Sequence, residues 1–195
     1  MALTRLGLNQ SINLATNTTG TLAVANGGTG LSSGFINGTT NVGKVLQVQH
    51  TNYNTQTTIQ DQGYLTTGLT CAITPSATNS KIFGMFKLQA RGHTITNNYE
   101  WGYSCKVTRS GGATGDAFEE KSGTGQSYST YFISNAGSVN TNVSMHSSFQ
   151  FLDTSHNTTS AITYTAFAKT QSGNQAAIFQ NGSFPSQFSL MEIAA

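Results

Sequence analysis

The chain has 195 residues, enough for one domain of ordinary size with its own core and a short appendage. Only 8% of the residues are charged, and uncharged polar residues take their place, a composition that favours β-structure and large buried interfaces. The net charge is +2 with Lys and Arg scattered singly, which argues against nucleic acid as a partner.

Export and membrane signals are missing from the sequence as we read it. The first residues carry no apolar run of signal-peptide length, and no later run approaches the roughly 20 apolar residues of a membrane span. We therefore expect no membrane insertion and a protein made and assembled in the cytoplasm. The default for Cys71 and Cys105 is then a pair of reduced, buried thiols, with a disulfide as the minority alternative.

Residues 1–43 differ from the rest of the chain. They are rich in Asn, Thr and Gly, and their apolar residues follow neither a helical period nor strict alternation. The glycines of the segment Gly20–Gly30 permit close backbone approach but lose much entropy when they become ordered. We predict an extended N-terminal arm that has no core of its own and is held by something outside it.

From residue 44 onward, short alternating runs separated by turn residues predict a β-domain that extends to residue 195. We predict ten strands and minimal helix. The strands are Lys44–His50, Thr55–Asp61, Leu69–Thr74, Ser80–Arg91, Asn98–Arg109, Tyr128–Asn135, Val143–Asp153, Ile162–Lys169, Ala176–Gln180 and Phe188–Ile193.

Three of these strands have informative patterns. Both faces of Ser80–Arg91 carry apolar residues, which predicts a central strand. The second strand, Asn98–Arg109, points Trp101, Tyr103, Cys105 and Val107 into the core. The third, Val143–Asp153, alternates as a half-buried strand does, with Met145, Phe149 and Phe151 on its apolar face.

The number and spacing of the strands favour an antiparallel β-sandwich of jelly-roll type. Exposed sheet edges invite further strand pairing unless charged residues or other chains cover them. Because this chain has few charges, we expect sister subunits to cover its edges in a closed cyclic oligomer.

Groups suited to catalysis are few, with seven carboxylates and four histidines in all. Asp116, Glu119 and Glu120 follow a glycine-rich turn, and we read them as a solvated acidic turn rather than a pair of catalytic carboxylates. The histidines lack metal-binding spacings. The sequence therefore predicts no catalytic residue, metal site or cofactor, and Gly27–Gly30 lacks the Lys that a phosphate-binding loop requires.

Sugar binding is the remaining binding chemistry that the composition allows. Flat aromatic rings beside amides are common in carbohydrate sites, and this chain has Tyr53 between two asparagines and, in another segment, Tyr99 directly after Asn97 and Asn98. We keep these four residues as candidate glycan contacts, although core or intersubunit packing is the simpler interpretation of the tyrosines.

The segment Gly20–Gly30, with Gly-Thr-Leu before Asn-Gly-Gly-Thr-Gly, resembles a short motif that recurs in bacteriophage tail fibres and related virion proteins. The opening residues resemble the N-terminal arm of structural proteins from marine and cyanobacterial phages. Further segments match the same group in order, so that the resemblance spans nearly the whole chain. They are Gly43–Val48, Leu69–Ser76 with Asn79–Ile82, Phe149–Asp153 and Ser189–Ile193.

The resemblance implies a homotrimeric virion protein whose arm binds other virion proteins and whose β-domain faces outward. The implied attachment residues are Leu22, Val24, Asn26, Gly27, Gly28, Thr29 and Gly30. This chain departs from the commoner motif at Ala23, where proline is frequent, and it lacks a fibre shaft. We expect a short tail fibre or spike that contacts the host surface. The alternatives are a capsid decoration protein and a glycan-binding or weakly depolymerising tip protein.

Overall fold

The computed structural model describes residues 43–94, 100–119, 130–133, 142–170 and 175–195, within a compact unit that spans Val42–Ala195. These residues form eleven β-strands and one short 3-10 turn at Asn181–Ser183, with no α-helix among them. The all-β prediction is confirmed. The predicted arm, apart from Gly43, lies outside the described residues. The strands are β1 (Val45–Tyr53), β2 (Thr57–Ile59), β3 (Leu65–Ile73), β4 (Lys81–Thr94), β5 (Glu100–Gly111), β6 (Gly115–Glu119), β7 (Thr130–Ile133), β8 (Asn142–Asp153), β9 (Ile162–Thr170), β10 (Gln175–Phe179) and β11 (Ser186–Ile193).

The strands form two antiparallel sheets. Sheet A contains β1, β2, β4, β8, β10 and β11, and sheet B contains β3, β5, β6, β7 and β9. Within sheet A, β4 pairs with β8 along one side and with β11 and then β10 along the other. This confirms the central position predicted for Ser80–Arg91.

Each sheet is four strand positions wide, because pairs of strands share one position. β10 and β11 both lie along the same side of β4, and β1 and β2 lie along the far side of β11 and β10. β6 and β7 both pair with β5 on the side away from β9. The order is β1/β2, β10/β11, β4, β8 in sheet A and β3, β9, β5, β6/β7 in sheet B.

Gln89 bridges the interruption between β10 and β11. Its backbone carbonyl accepts a hydrogen bond from the backbone N–H of Gln180 at 3.1 Å, and its side-chain oxygen accepts one from the backbone N–H of Asn181 at 2.8 Å. The backbone N–H of Gln89 donates to Ser186 Oγ at 3.0 Å. The buried side chain of Gln89 thus replaces ladder bonds that the interrupted neighbour cannot provide.

The inner faces of the two sheets pack on one hydrophobic core, as in a β-sandwich. Tyr103, Cys105 and Val107 are fully buried as predicted, whereas the side chain of Trp101 lies outside the described residues. In sheet A, the Phe86 ring packs against those of Phe188 and Phe149, at centroid distances of 5.5 and 5.0 Å. The core is therefore aromatic where β4, β8 and β11 meet.

Both cysteines are free thiols in the core. Cys71 pairs across the ladder with Tyr164 of β9, and Cys105 pairs with Ala168 on the opposite side of the same strand. β9 therefore separates the two cysteines, which are also offset by four residues along it. A disulfide requires Cα atoms within about 7 Å, so this arrangement forbids one.

The acidic segment is a strand and not the turn that the sequence predicts, although Asp116 and Glu119 are exposed to solvent as expected. Asp116 and Glu119 belong to β6, which pairs with Lys106–Arg109 of β5. Between these carboxylates, Phe118 packs partly on the core, and that contact makes the segment a strand despite its charge. Asp116 pairs with Lys106 at 3.3 Å, and Glu120 lies outside the described residues.

Candidate functional site

The outer face of sheet A, which points away from the core, carries three rows of side chains that cross the sheet. Ladder pairing sets each row, since directly opposed residues on neighbouring strands share a face. The apolar row is Val48, Met191, Phe83 and Leu152; the middle row is His50, Ser189, Met85 and Gln150; and the polar row is Asn52, Gln187, Lys87 and Ser148. The face thus changes from apolar to polar along the strands.

The apolar row is exposed at both of its ends. Val48 on β1 is 55% exposed and Leu152 on β8 is 50% exposed. Val45 and Leu46, beside Val48 on β1, are also exposed. Among the described strands, β1 lies at one edge of sheet A. It contains no Lys, Arg, Asp or Glu, so it lacks the charged residues that usually protect an edge from strand pairing.

The middle and polar rows line an open groove of about 350 Å³. Its walls combine two amides, three side chains with hydroxyl or imidazole groups, one thioether and one ammonium group. The lining residues are His50, Met85, Phe86, Lys87, Ser148, Phe149, Gln150, Gln187 and Ser189. The groove is lined by residues of β1, β4, β8 and β11, so its shape depends on the pairing of these four strands.

A hydrogen-bond network holds one wall of the groove in place. Asn52 Oδ1 accepts from Gln187 Nε2 at 3.0 Å and lies 3.3 Å from His50 Nε2. Because Asn52 Oδ1 can only accept, His50 Nε2 is the donor in this bond, and Nδ1 lies 2.8 Å from Ser189 Oγ. The network orients the His50 ring and the Gln187 amide.

Lys87 provides the positive charge of the groove. It is half-buried in the polar row, and the described residues place no carboxylate within 4 Å of its ammonium group. None of the twelve side chains in the three rows is acidic. The groove therefore has a local positive charge that no side chain of the rows neutralises.

One buried carboxylate, Asp153, links the two sheets. It lies 3% exposed at the end of β8 and accepts hydrogen bonds from Arg109 Nη1 at 3.1 Å and Tyr164 Oη at 2.8 Å. Burial and the neighbouring carboxylate raise the pKa of Tyr164 far above its usual range. Because Arg109 and Tyr164 belong to sheet B, the cluster joins the sheets at one end of the sandwich.

The second buried carboxylate, Glu192, holds the loop between β3 and β4. It accepts hydrogen bonds from Gln47 Nε2 at 2.7 Å, from the Ser76 amide at 2.7 Å and from Ser76 Oγ at 2.8 Å. Burial raises the pKa of Glu192, but the hydrogen bonds from Gln47, Ser80 and Ser76 outweigh burial and hold it at about 2. Both carboxylates accept hydrogen bonds from donors of their own chain, so we assign them a role in the stability of the fold.

Histidines occupy three different environments. His50 lines the groove, and His146 lies exposed on the outer face of sheet A. His156 is 3% exposed, with Nε2 lying 2.7 Å from the Ser80 carbonyl oxygen. The side chain of His93 lies outside the described residues. Among the described residues, no three metal-binding side chains converge, and no helix is long and apolar enough to cross a membrane.

The candidate glycan residues are not brought together in the described structure. Tyr53 lies at the end of β1, half-buried against the core, with its ring over the backbone of Gly68. Asn97, Asn98 and Tyr99 lie outside the described residues. So do the candidate attachment residues Leu22, Val24, Asn26, Gly27, Gly28, Thr29 and Gly30.

The sequence does not predict the groove, although the alternation of apolar and polar residues assigns some of its residues to the correct face of their strands. The pattern puts Met85 and Lys87 on one face of β4, and Ser148 and Gln150 on one face of β8. It does not reveal that β4 lies between β8 and β11, which is what brings these side chains together.

No protein-family model matches the chain, and the curated proteins contain no match to it.

Proposed function

We propose that this chain is a structural component of a bacteriophage virion, a short tail fibre or spike whose trimeric β-domain contacts the host surface. The observation that carries the proposal is the strand order of the two sheets. The resemblance of the arm motif and of the ordered segments to phage virion proteins supplies the biological context. The arm, residues 1–43, would attach the domain to the particle.

The strand order supports a jelly roll. If the eight strand positions are numbered in chain order, sheet A reads 1-8-3-6 and sheet B reads 2-7-4-5. Successive positions therefore alternate between the sheets, except at positions 4 and 5, as two nested Greek keys require. Jelly rolls are frequent in viral structural proteins and in lectins, and both uses agree with a virion protein that contacts a surface.

The apolar row supports a trimer. Among the described strands, Val48 and Leu152 lie at opposite edges of sheet A, so a head-to-tail contact can bring Val48 of one copy to Leu152 of the next. Contacts of that kind form a closed ring when the rotations between successive copies add up to a full turn, as they do for three copies related by 120°. Burying such exposed apolar side chains contributes about 25 cal/mol per Å².

Light scattering on the purified chain tests the trimer, and we expect the mass of three chains at micromolar concentration. Val48→Lys and Leu152→Lys should each give monomers, because a buried ammonium without a partner is strongly unfavourable at an interface. Ser144→Lys is the control, since Ser144 is exposed on the same strand as Leu152 but lies outside the apolar row. A monomeric wild-type chain, or variants that stay trimeric, would exclude this interface.

Immunogold labelling of intact particles tests the location. We expect label at the tail, with tens of copies or fewer per particle. Label over the capsid faces with hundreds of copies would identify a decoration protein instead and would refute the appendage. Both roles would use the same trimer, so this result is independent of the light-scattering experiment.

We also propose that the chain has no catalytic activity. The carboxylates Asp153 and Glu192 are occupied by hydrogen bonds that hold the fold together, and Asp116 is paired with Lys106. Release of reducing sugar from host envelope material, abolished by replacing Glu119 and Glu120 with Gln, would establish a depolymerase and contradict this part of the proposal.

A further inference from the structure

We infer that the groove on the outer face of sheet A binds an acidic saccharide, with Lys87 as the partner of its negative charge. The inference rests on the proposed function, because it names the chemistry of the surface that the β-domain would contact. The proposed site is the groove, and not the candidate glycan contacts Tyr53, Asn97, Asn98 and Tyr99 that the sequence suggests.

Charge is the first argument. The groove holds the Lys87 ammonium group without a carboxylate within 4 Å among the described residues, and the three rows around it contain no acidic side chain. A half-buried ammonium in such surroundings attracts a single anionic group more strongly than a fully exposed lysine does, since water screens it less. One cation in the groove fits one negative charge per bound sugar unit.

The polar lining is the second argument. Gln150 and Gln187 each offer an amide donor and an amide acceptor, and Ser148 and Ser189 offer hydroxyl groups. Sugar hydroxyls are donors and acceptors at once, so mixed amide and hydroxyl walls suit them better than they suit a bare inorganic anion, which only accepts. Gln187 is already oriented by Asn52, which lowers the entropy lost on binding.

The shape of the groove is the third argument. Met85 lies in the middle row between the polar side chains and is 37% exposed, so it offers an apolar surface to the C–H face of a sugar ring. Below the rows, Phe86 and Phe149 stack with centroids 5.0 Å apart, which stiffens the two strands that form the groove. An open groove between four strands accommodates a chain of sugars rather than a small buried ligand.

Trigalacturonic acid and its methyl ester are the probes, because they share one backbone and differ in charge. Calorimetric titration of the full chain should detect the acid in the millimolar range and give at least tenfold weaker binding of the ester. Equal binding of the two, or no binding of the acid at 10 mM, would overturn the inference. Inorganic phosphate that competes at the same concentration as the acid would also overturn it, since the groove would then accept any anion.

Lys87→Gln should weaken binding of the acid at least tenfold and should affect the weak binding of the ester much less. Lys81→Gln is the matched control: Lys81 lies on the same strand and face, exposed, six residues and about 20 Å from Lys87. We expect the control to bind within twofold of the wild type. Met85→Glu supplies a second variant, which should abolish binding of the acid by placing a like charge in the groove. Circular dichroism should be unchanged in all three.

The inference and the proposed function can fail separately. Binding that depends on Lys87, in a protein absent from particles, would refute the virion role and leave the groove site standing. Label on particles together with equal binding of acid and ester would do the reverse. Binding of the acid that Lys87→Gln and Lys81→Gln weaken equally would point to general surface charge and would refute the groove.

Discussion

Replacing Glu192 by Gln tests whether a buried carboxylate sets the acid stability of the sandwich. Glu192 is fully buried, and its oxygens accept hydrogen bonds from Gln47 and from both the amide and the hydroxyl of Ser76. A carboxyl whose pKa falls from 4.5 in the unfolded chain to about 2 in the folded chain contributes about 3 kcal/mol of stability at neutral pH.

The sign of the pH dependence follows from this depressed pKa. Above pH 4.5 the carboxylate is ionised in both states and its contribution is complete; as the pH falls toward 2, the unfolded state takes up the proton first, and stability is lost. About 2 kcal/mol of the contribution should be lost by pH 3. The Glu192→Gln variant would lack this dependence, and at pH 7 it should be less stable than the wild type by about 1–3 kcal/mol because its amide N–H faces donors.

Urea denaturation between pH 7 and pH 3, for the wild type and for Glu192→Gln, measures the difference directly. The two stabilities should converge as the pH falls. Glu119→Gln is the control, since Glu119 is exposed on β6 and its removal should leave the pH profile parallel to that of the wild type. If the wild type and Glu192→Gln keep a constant difference down to pH 3, the reasoning is wrong.

Three further predictions concern the core and its links. Asp153→Ala should lower the free energy of unfolding by about 3–5 kcal/mol in chemical denaturation, because Arg109 would stay buried without its partner. Asp116→Ala, which breaks an exposed ion pair, should lower it by less than about 1 kcal/mol. Equal losses in the two variants would refute the distinction between the pairs. Gly84→Ala should lower stability by about 1–3 kcal/mol, since its Cβ would lie 2.2 Å from the Phe151 ring, and adding Phe151→Leu should recover part of the loss; strict additivity in the double mutant would contradict the clash. Both thiols should react with Ellman's reagent only after denaturant is added, and rapid reaction of the native protein would contradict their burial.

The sequence predicted those parts of the fold that depend on alternation within a single strand. The middle of the predicted strand Val143–Asp153 shows this, because Met145, Phe149 and Phe151 meet the core, whereas the alternating residues His146, Ser148 and Gln150 face solvent. The buried residues Tyr103, Cys105 and Val107 were found in the same way. Local pattern sets which side of a strand is inside.

Other features depend on contacts between distant segments, which the local pattern does not contain. The acidic residues of β6 indicate a solvated turn, yet Phe118 between them packs on the core once β5 provides a partner strand. The groove is a similar case. Asn52 and Gln187 meet because β1 and β11 pair, and their separation in the sequence gives no sign of it. The residues of the site were therefore visible in the sequence, but their assembly was not.

The pairing of β1 with β11 has a consequence for the order of events during synthesis. Gln47 is hydrogen-bonded to Glu192, 145 residues further along the chain, and β2 likewise requires β10. At roughly 5–20 residues per second, the ribosome takes about 7–30 s to deliver the partner of β1. Throughout this time an uncharged strand with exposed Val and Leu side chains remains unpaired beside other nascent chains. Pairing of β1 therefore waits until β11 has been synthesised, and the yield of folded protein should fall as the expression rate rises.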